Sequence, residues 1–134
     1  MTTLKHQEPK VPLRERLALT DQMLNTFREA AKERNARSNW IPGPGEPTAQ
    51  ELAWNNFERG IMVDAVNFER SARNLPPVSV RNFMIVERLA VGHSDYATKL
   101  ALYCAELAVG EITFEGEPAP ILSGSPQTPR RNVR

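Results

Sequence analysis

The sequence predicts an all-α protein, a three-helix bundle dominated by a long antiparallel helical hairpin, with flexible segments at both ends. Apolar residues recur at intervals of three and four over three long stretches, which is the period of an amphipathic helix. Short segments rich in proline, glycine or polar residues separate these stretches, and capping signals stand at their borders. We therefore expect helices over about 12–35, 48–75 and 79–109, between a flexible arm at 1–11 and a mostly disordered tail at 111–134.

The first predicted helix begins near Pro12, because the missing N–H of a proline costs nothing in the first turn of a helix. Its apolar stripe comprises Leu13, Leu17, Thr20, Leu24, Phe27 and Ala31. Residues 36–47, with the sequence ARSNWIPGPGEP, then break the helical pattern. Trp40 and Ile41 lie in this segment, and we interpret them as a cover for one end of the bundle. The alternative is a knob that binds a partner.

The second predicted helix has recognisable signals at both ends. Thr48-Ala49-Gln50-Glu51 matches the capping box, in which a threonine and a glutamate side chain bind free N–H groups of the first turn. Pro76-Pro77 ends the helix, since residues before proline avoid helical backbone angles. The apolar stripe between them is interpreted as a core-facing surface. It comprises Trp54, Phe57, Ile61, Ala65, Phe68, Ala72 and Leu75.

The third predicted helix has Ser79 as its N-cap and Gly110 just beyond its C-terminus. Further apolar residues surround its stripe, so we expect this helix to be central or to be covered by another subunit. In an alternative interpretation Gly92 ends one helix and Ser94 or Asp95 caps the next, but the unbroken apolar pattern favours one continuous helix. The stripe comprises Phe83, Val86, Ala90, His93, Ala97, Leu100, Cys104 and Leu107.

The helical signal fades beyond the third helix. Ile112-Thr113-Phe114 suits a short extended stretch, and the residues after it are rich in proline, glycine and serine, a composition typical of disorder. The basic end of the chain suits contact with phosphate or with an acidic protein surface. It contains Arg130, Arg131 and Arg134.

The motif Asn-Phe-Glu-Arg occurs at 56–59 and again at 67–70, eleven residues later. Eleven residues make about three helical turns, so both copies face nearly the same direction. We interpret Phe57 and Phe68 as core residues, and the flanking acids and bases as the solvated edges of the helix. Alternatively, this ladder of acids and bases recognises a partner helix or an identical copy of the chain. The ladder comprises Glu58, Arg59, Glu69, Arg70 and Arg73.

The loop between the second and third helices is short, so these helices should run antiparallel as neighbours. Folding the chain at about 77–78 places His93 opposite 61–64, with Asp64 as its partner and Asp95 nearby in sequence. We interpret His93 as a hydrogen-bonded core histidine. The alternatives are a pH-responsive or subunit contact and a metal or catalytic site at His93 and Asp64. No cofactor is predicted, because one histidine with carboxylates offers few metal ligands.

Composition narrows the function classes. A chain of 134 residues fits one domain, and a net charge of +1 gives no general attraction to nucleic acid or membranes. The single cysteine, Cys104, leaves no disulfide framework. No phosphate-binding or nucleophile-elbow motif occurs, and no apolar run approaches the roughly 20 residues of a membrane span. The N-terminus lacks the apolar region of a signal peptide, so we expect a cytoplasmic protein.

These observations predict a non-enzymatic interaction or assembly protein, an adaptor or accessory protein that binds a protein partner and self-associates through helix surfaces. The candidate partner-binding residues are Trp40, Ile41, the ladder and the C-terminal arginines. One alternative is association with nucleic acid through the arginines of the first helix, the ladder and the tail. Another is an enzyme or metal protein centred on His93 and Asp64.

Overall fold

The structure is a computed structural model, and it describes residues 3–37 and 49–115. The predicted predominance of helix is confirmed, but the three-helix bundle with a long hairpin is not, because four helices and a small sheet are found within these two ranges. The helices are α1 (Leu13–Arg37), α2 (Ala49–Ala72), α3 (Val80–Val91) and α4 (Tyr96–Ala108), and the strands are β1 (Leu4–His6) and β2 (Ile112–Phe114).

Helix α4 is the centre of the fold. It packs against α1, α2, α3 and β2, most extensively against α1. This position explains why the sequence is apolar on nearly all sides of the part of the third predicted helix that forms α4. The stripe predicted for that helix is confirmed at six positions that are all buried, namely Phe83, Val86, Ala90, Leu100, Cys104 and Leu107.

The prediction of one continuous helix over 79–109 is wrong, because residues 92–95 separate α3 from α4. Gly92 follows the last residue of α3, and Asp95 caps α4 by accepting a hydrogen bond from the Thr98 N–H at 3.2 Å. A short polar side chain at Asp95 binds a backbone donor that would otherwise lack a partner, so it favours a new helix start over continuation. The alternative interpretation of this segment, with Asp95 as the cap, is the one observed.

Replacing Asp95 with asparagine should change how stability depends on pH. Asparagine also caps helices, but it does not titrate. Hydrogen bonds from Thr98 lower the pKa of Asp95 below its usual value. The carboxylate therefore contributes stability above that usual value and loses the contribution as the pH falls through its own lower pKa. Urea unfolding of both proteins should give a difference in stability that changes only below about pH 4; parallel pH curves would contradict this expectation.

Helices α2 and α4 end in the same way, with one residue in the left-handed conformation. Asn74 follows α2 with φ of 60°, and Gly110 follows α4 with φ of 81°. At each end, the residue after the left-handed one donates its N–H to a carbonyl in the last turn of the helix. Leu75 does so at the end of α2 and Glu111 at the end of α4, both at 2.9 Å. This is the Schellman arrangement. A Cβ at Gly110 would lie 3.1 Å from Cδ1 of Leu75, so the two helix ends pack against each other.

The segment 1–11, predicted to be a flexible arm, contains strand β1 in its described part. β1 pairs antiparallel with β2, with Leu4 opposite Phe114 and His6 opposite Ile112. The extended stretch expected at 112–114 is confirmed, and Ile112 and Phe114 are both buried. The arm is polar, but a strand pairs through its backbone N–H and C=O groups. Side-chain composition therefore gave no sign of this pairing.

Candidate functional site

The most exposed phenylalanines of the chain lie on the face of α2 that is turned away from the core. Phe68 is 73% exposed and Phe57 is 38% exposed, so the prediction that both are core residues is wrong. The buried face of α2 is formed by Met62, Val63, Val66 and Arg70. We call the opposite face the outer seam. It consists of Phe57, Ile61, Asp64 and Phe68, at spacings of four, three and four residues.

An open groove runs beside the outer seam, between α1 and α2. Its apolar lining comes from Phe57 and Ile61 on α2 and from Ala18 and Ala30 on α1. The polar lining on α1 includes three acids and no base among the described residues, namely Asp21, Glu29 and Glu33. The groove therefore extends the apolar surface of the outer seam and gives it one acidic wall.

The ladder of acids and bases predicted on α2 is largely engaged within the chain. Nε of Arg59 lies 2.8 Å from Oε1 of Glu87 on α3. Arg73 donates to Glu69 at 3.0 Å and also to Glu15 on α1. Desolvation lowers the pKa of Arg73, but the hydrogen bonds to Glu15 and Glu69 outweigh it and the pKa is raised. The prediction that these residues form a solvated edge is therefore partly wrong for Arg59 and Arg73. It is entirely wrong for Arg70.

Arg70 is fully buried and ties three parts of the fold together. Its Nε donates to the carbonyl of Pro76 at 2.6 Å, and its Nη1 donates to the carbonyl of Leu107 at 2.7 Å. Carbonyls in the last turn of a helix lack partners within that helix, and the negative end of the helix dipole attracts a cation. The guanidinium therefore stabilises the C-terminus of α4 and holds the turn after α2 against it. An arginine buried in this way does not suit nucleic-acid binding.

Asn67, the first residue of the second motif copy, joins α2 to the start of α3. Its Nδ2 donates to the Val78 carbonyl at 3.0 Å, and its Oδ1 accepts the Val78 N–H at 2.8 Å. These two bonds satisfy both backbone groups of a buried residue. Together with the Arg59–Glu87 ion pair they fix the register of α2 against α3, which differs from the register predicted by folding the chain at 77–78.

His93 and Asp64 do not form the predicted polar pair. Both side chains are exposed, and no hydrogen bond or ion pair joins them in the part of the chain that the structure describes. The break after α3 turns His93 out of the buried stripe. In this exposed position the centre of its ring lies 6.5 Å from that of Tyr103. The interpretation of His93 as a core residue is therefore wrong. Asp64 lies on the outer seam, and Asp95 is the cap of α4.

A cleft between α2, α3 and α4 contains the Arg59–Glu87 ion pair. Tyr96 lies in the same cleft, where burial raises the pKa of its hydroxyl and the charge of Glu87 raises it further, against the opposing effect of Arg59. Two acids and two bases line the cleft above an apolar floor, so their charges balance. The polar lining includes Glu58, Arg59, Glu87, Arg88 and Tyr96, and the floor includes Met62, Met84 and Leu100.

A cluster around Tyr103 was not predicted. Nε2 of His6 lies 2.9 Å from Oε1 of Glu106, and the His6 ring centre is 6.3 Å from that of Tyr103. Nζ of Lys99 lies 5.1 Å from the centre of the same ring. Both histidines of the chain thus flank one tyrosine. Sequence patterns could not show this, because strand β1 alone brings His6 to α4.

Glu111 is a buried carboxylate that sequence reasoning also missed. Its Oε2 accepts the N–H groups of Lys10 at 3.2 Å and Val11 at 3.1 Å, and lies 3.4 Å from Nε of Arg16. Its Oε1 is buried with no hydrogen-bond partner among the described residues. Glu111 therefore fastens the segment before α1 to the chain that follows α4. The available signal was its position directly after the helix-ending Gly110.

Several candidate residues lie outside the described residues, namely Trp40, Ile41, Arg130, Arg131 and Arg134. Within 3–37 and 49–115, no group of three or more His, Cys, Asp or Glu side chains is placed to hold a metal ion. None of the helices in these ranges combines the length and apolarity that crossing a membrane requires. Cys104 is buried, and desolvation raises the pKa of its thiol.

In comparisons with known proteins, no family model, no curated protein and no solved structure matches this chain. A functional proposal therefore rests on the surfaces of the chain itself. Among the large apolar side chains that the structure describes, Phe68 on the outer seam is the most exposed.

Proposed function

We propose that the chain is a non-enzymatic interaction or assembly protein that self-associates through the outer seam of α2. The single observation that supports this proposal most directly is the exposure of Phe68, 73% of whose surface faces solvent about one turn before the C-terminal end of α2. A large aromatic side chain that stays exposed in the monomer does not gain the free energy that its burial would give. Aromatic residues of this kind supply much of the binding energy at protein interfaces.

The charge distribution around the outer seam also supports association. Arg59 and Arg73 are held by glutamates of the same chain, and the one charged residue on the seam is Asp64. A partner that covers Phe57, Ile61 and Phe68 therefore removes few charges from water. Desolvated charges are costly at an interface unless they are paired.

The apolar character of α4, the second part of the third predicted helix, no longer supports association. Helix α4 is covered by α1, α2, α3 and β2 of its own chain. Self-association is therefore assigned to α2, whose most regular apolar stripe is not covered in the same way.

Replacing Phe68 with serine should abolish self-association and leave the monomer folded. The side chain is mostly exposed in the monomer, so the free energy of unfolding should change by about 0.5 kcal/mol or less. Sedimentation velocity over a range of protein concentrations should show the unsubstituted protein moving above its monomer mass of 15.1 kDa at high concentration. The serine variant should sediment as a monomer throughout.

Leu17→Ser is the matched control, because Leu17 is a 54% exposed apolar residue on α1. This variant should associate as the unsubstituted protein does. Loss of association in Leu17→Ser but not in Phe68→Ser would move the contact away from the outer seam. A strictly monomeric unsubstituted protein would overturn the proposal of self-association.

A further inference from the structure

We infer that the outer seams of two copies pack against each other as an antiparallel, two-fold symmetric helix pair. This inference rests on the proposed function. It specifies a second copy of the chain as the partner of the outer seam and gives the register in which the two α2 helices pair. Phe57 of each copy lies opposite Phe68 of the other, and Ile61 lies opposite Asp64. The eleven-residue repeat leads to this register, because it places the same aromatic residue at equal distances from the point where the two-fold axis passes α2.

The spacing of the outer seam suits a pair of helices. Steps of four, three and four residues are those of the positions at which two helices interlock. A two-fold interface requires that if residue i of one copy contacts residue j of the other, then j also contacts i. Every antiparallel two-fold register meets this requirement. Centring the axis between Phe57 and Phe68, about 16 Å apart along the helix, is the choice that sets phenylalanine against phenylalanine at both ends, and aromatic pairs stabilise a contact beyond their buried area.

Electrostatics favours an antiparallel pair over a parallel one. In a parallel pair Asp64 would lie directly opposite Asp64 of the other copy, and like charges repel. Two parallel helix dipoles would also lie side by side with the same orientation. In the antiparallel register Ile61 faces Asp64, so the two Asp64 residues are offset by about 4.5 Å along the pair and repel each other less, and each dipole is reversed relative to its neighbour.

Gly60 gives independent support for the close approach of a second helix. An interior glycine destabilises a helix relative to alanine. No described atom lies within 4 Å of the position that a Cβ at Gly60 would take, so packing within the described chain does not require glycine there. Gly60 flanks the outer seam, where the lack of a side chain lets the backbone of a second helix come close.

The size of the contact sets the expected affinity. Residues 53–72 pair along their whole length in this register and extend about 30 Å. With a helix about 12 Å wide, the strip measures roughly 360 Å² per copy, below the ~800 Å² of a standard interface. Like charges on the two Asp64 residues near the axis also weaken the contact. We therefore expect a weak dimer that forms and dissociates with protein concentration.

The register can be tested with two single substitutions, Phe57→Cys and Phe68→Cys, under mild oxidation. The native Cys104 is buried, so it should not react in the folded protein. An equal mixture of the two variants should form a disulfide-linked dimer between position 57 of one copy and position 68 of the other. That heterodimer keeps one Phe57–Phe68 contact intact. Each variant alone should form little cross-linked dimer, because its cysteines lie about 16 Å apart along the pair.

The outcomes separate this inference from the proposed function. If each variant formed a disulfide-linked dimer with itself, and the mixture formed no further species, the pair would be parallel. That result would overturn the register but not self-association. Concentration-dependent dimers with no cross-link in any combination would overturn the use of the outer seam in this geometry. A protein that remains monomeric in sedimentation would overturn both. Denaturing electrophoresis without reductant, with a reduced sample as control, gives the readout.

Discussion

Replacement of Arg70 with methionine is expected to lower the free energy of unfolding by roughly 3 kcal/mol or more. Methionine fills much of the buried volume but donates no hydrogen bond. The carbonyls of Pro76 and Leu107 would then be left without the donors that hold them at 2.6 and 2.7 Å. Each buried carbonyl without a partner costs about 1–3 kcal/mol. The loss is a large fraction of a typical domain stability of about 5–15 kcal/mol. Urea unfolding followed by circular dichroism measures it.

Arg59→Met is the matched control, because Arg59 is the same motif residue in the first copy. Its ion pair with Glu87 is largely buried but lines an open cleft, so its loss should cost about 1–2 kcal/mol, less than the loss at position 70. Arg70→Lys should fall between the two, because one ammonium group cannot reproduce a fork that reaches two carbonyls. Equal effects of methionine at positions 59 and 70 would contradict the assignment of Arg70 as the buried clamp.

Replacement of Glu111 with alanine is expected to lower the free energy of unfolding by about 2 kcal/mol or more and to release the N-terminal strand. The substitution removes the acceptor of the Lys10 and Val11 N–H groups and leaves the largely buried Arg16 without its carboxylate. The backbone of β1 would then separate from β2 and expose Ile112 and Phe114. Hydrogen exchange should accelerate at 4–6 and 112–114 before it accelerates in α4.

Glu106→Gln controls for a general effect of losing an acid near the N-terminal strand. Glu106 pairs with the partly exposed His6 at 2.9 Å, so its replacement should cost about 1 kcal/mol or less. It should leave exchange at 112–114 nearly unchanged. Unchanged exchange at β1 and β2 in Glu111→Ala would show that strand pairing alone holds the N-terminal segment.

Local signals in the sequence predicted local structure well. Ser79 caps α3 as expected, with its hydroxyl oxygen accepting the Asn82 N–H at 3.1 Å. Gly110 follows α4 in the left-handed conformation that favours glycine. These predictions succeeded because a cap or a helix end depends on a few neighbouring backbone groups, which the sequence specifies directly.

The choice of buried face on α2 could not be predicted in the same way. Apolar spacing favoured the stripe through Phe57 and Phe68, whereas the fold buries the stripe through Met62, Val66 and Arg70. Arginine at a core position counts as unfavourable when its partners are unknown. The partners of Arg70 are backbone carbonyls at Pro76 and Leu107, the second of them 37 residues away in the chain. No pattern within one helix reveals such partners.

The sequence alone determined that the chain is mostly helical, where several helices begin and end, and six of the positions that the last two helices bury. Only the tertiary structure decided that α2 turns its phenylalanines outward, that Glu111 and β1 fasten the two ends of the described fold, and that His93 is exposed. The physical reason is the range of the interactions. Helix periods and caps act over a few residues, whereas the bonds of Arg70 and Glu111 join groups from distant parts of the chain. The Asn-Phe-Glu-Arg repeat shows both: its interval sets its faces on the helix, and the rest of the fold selects which face stays exposed.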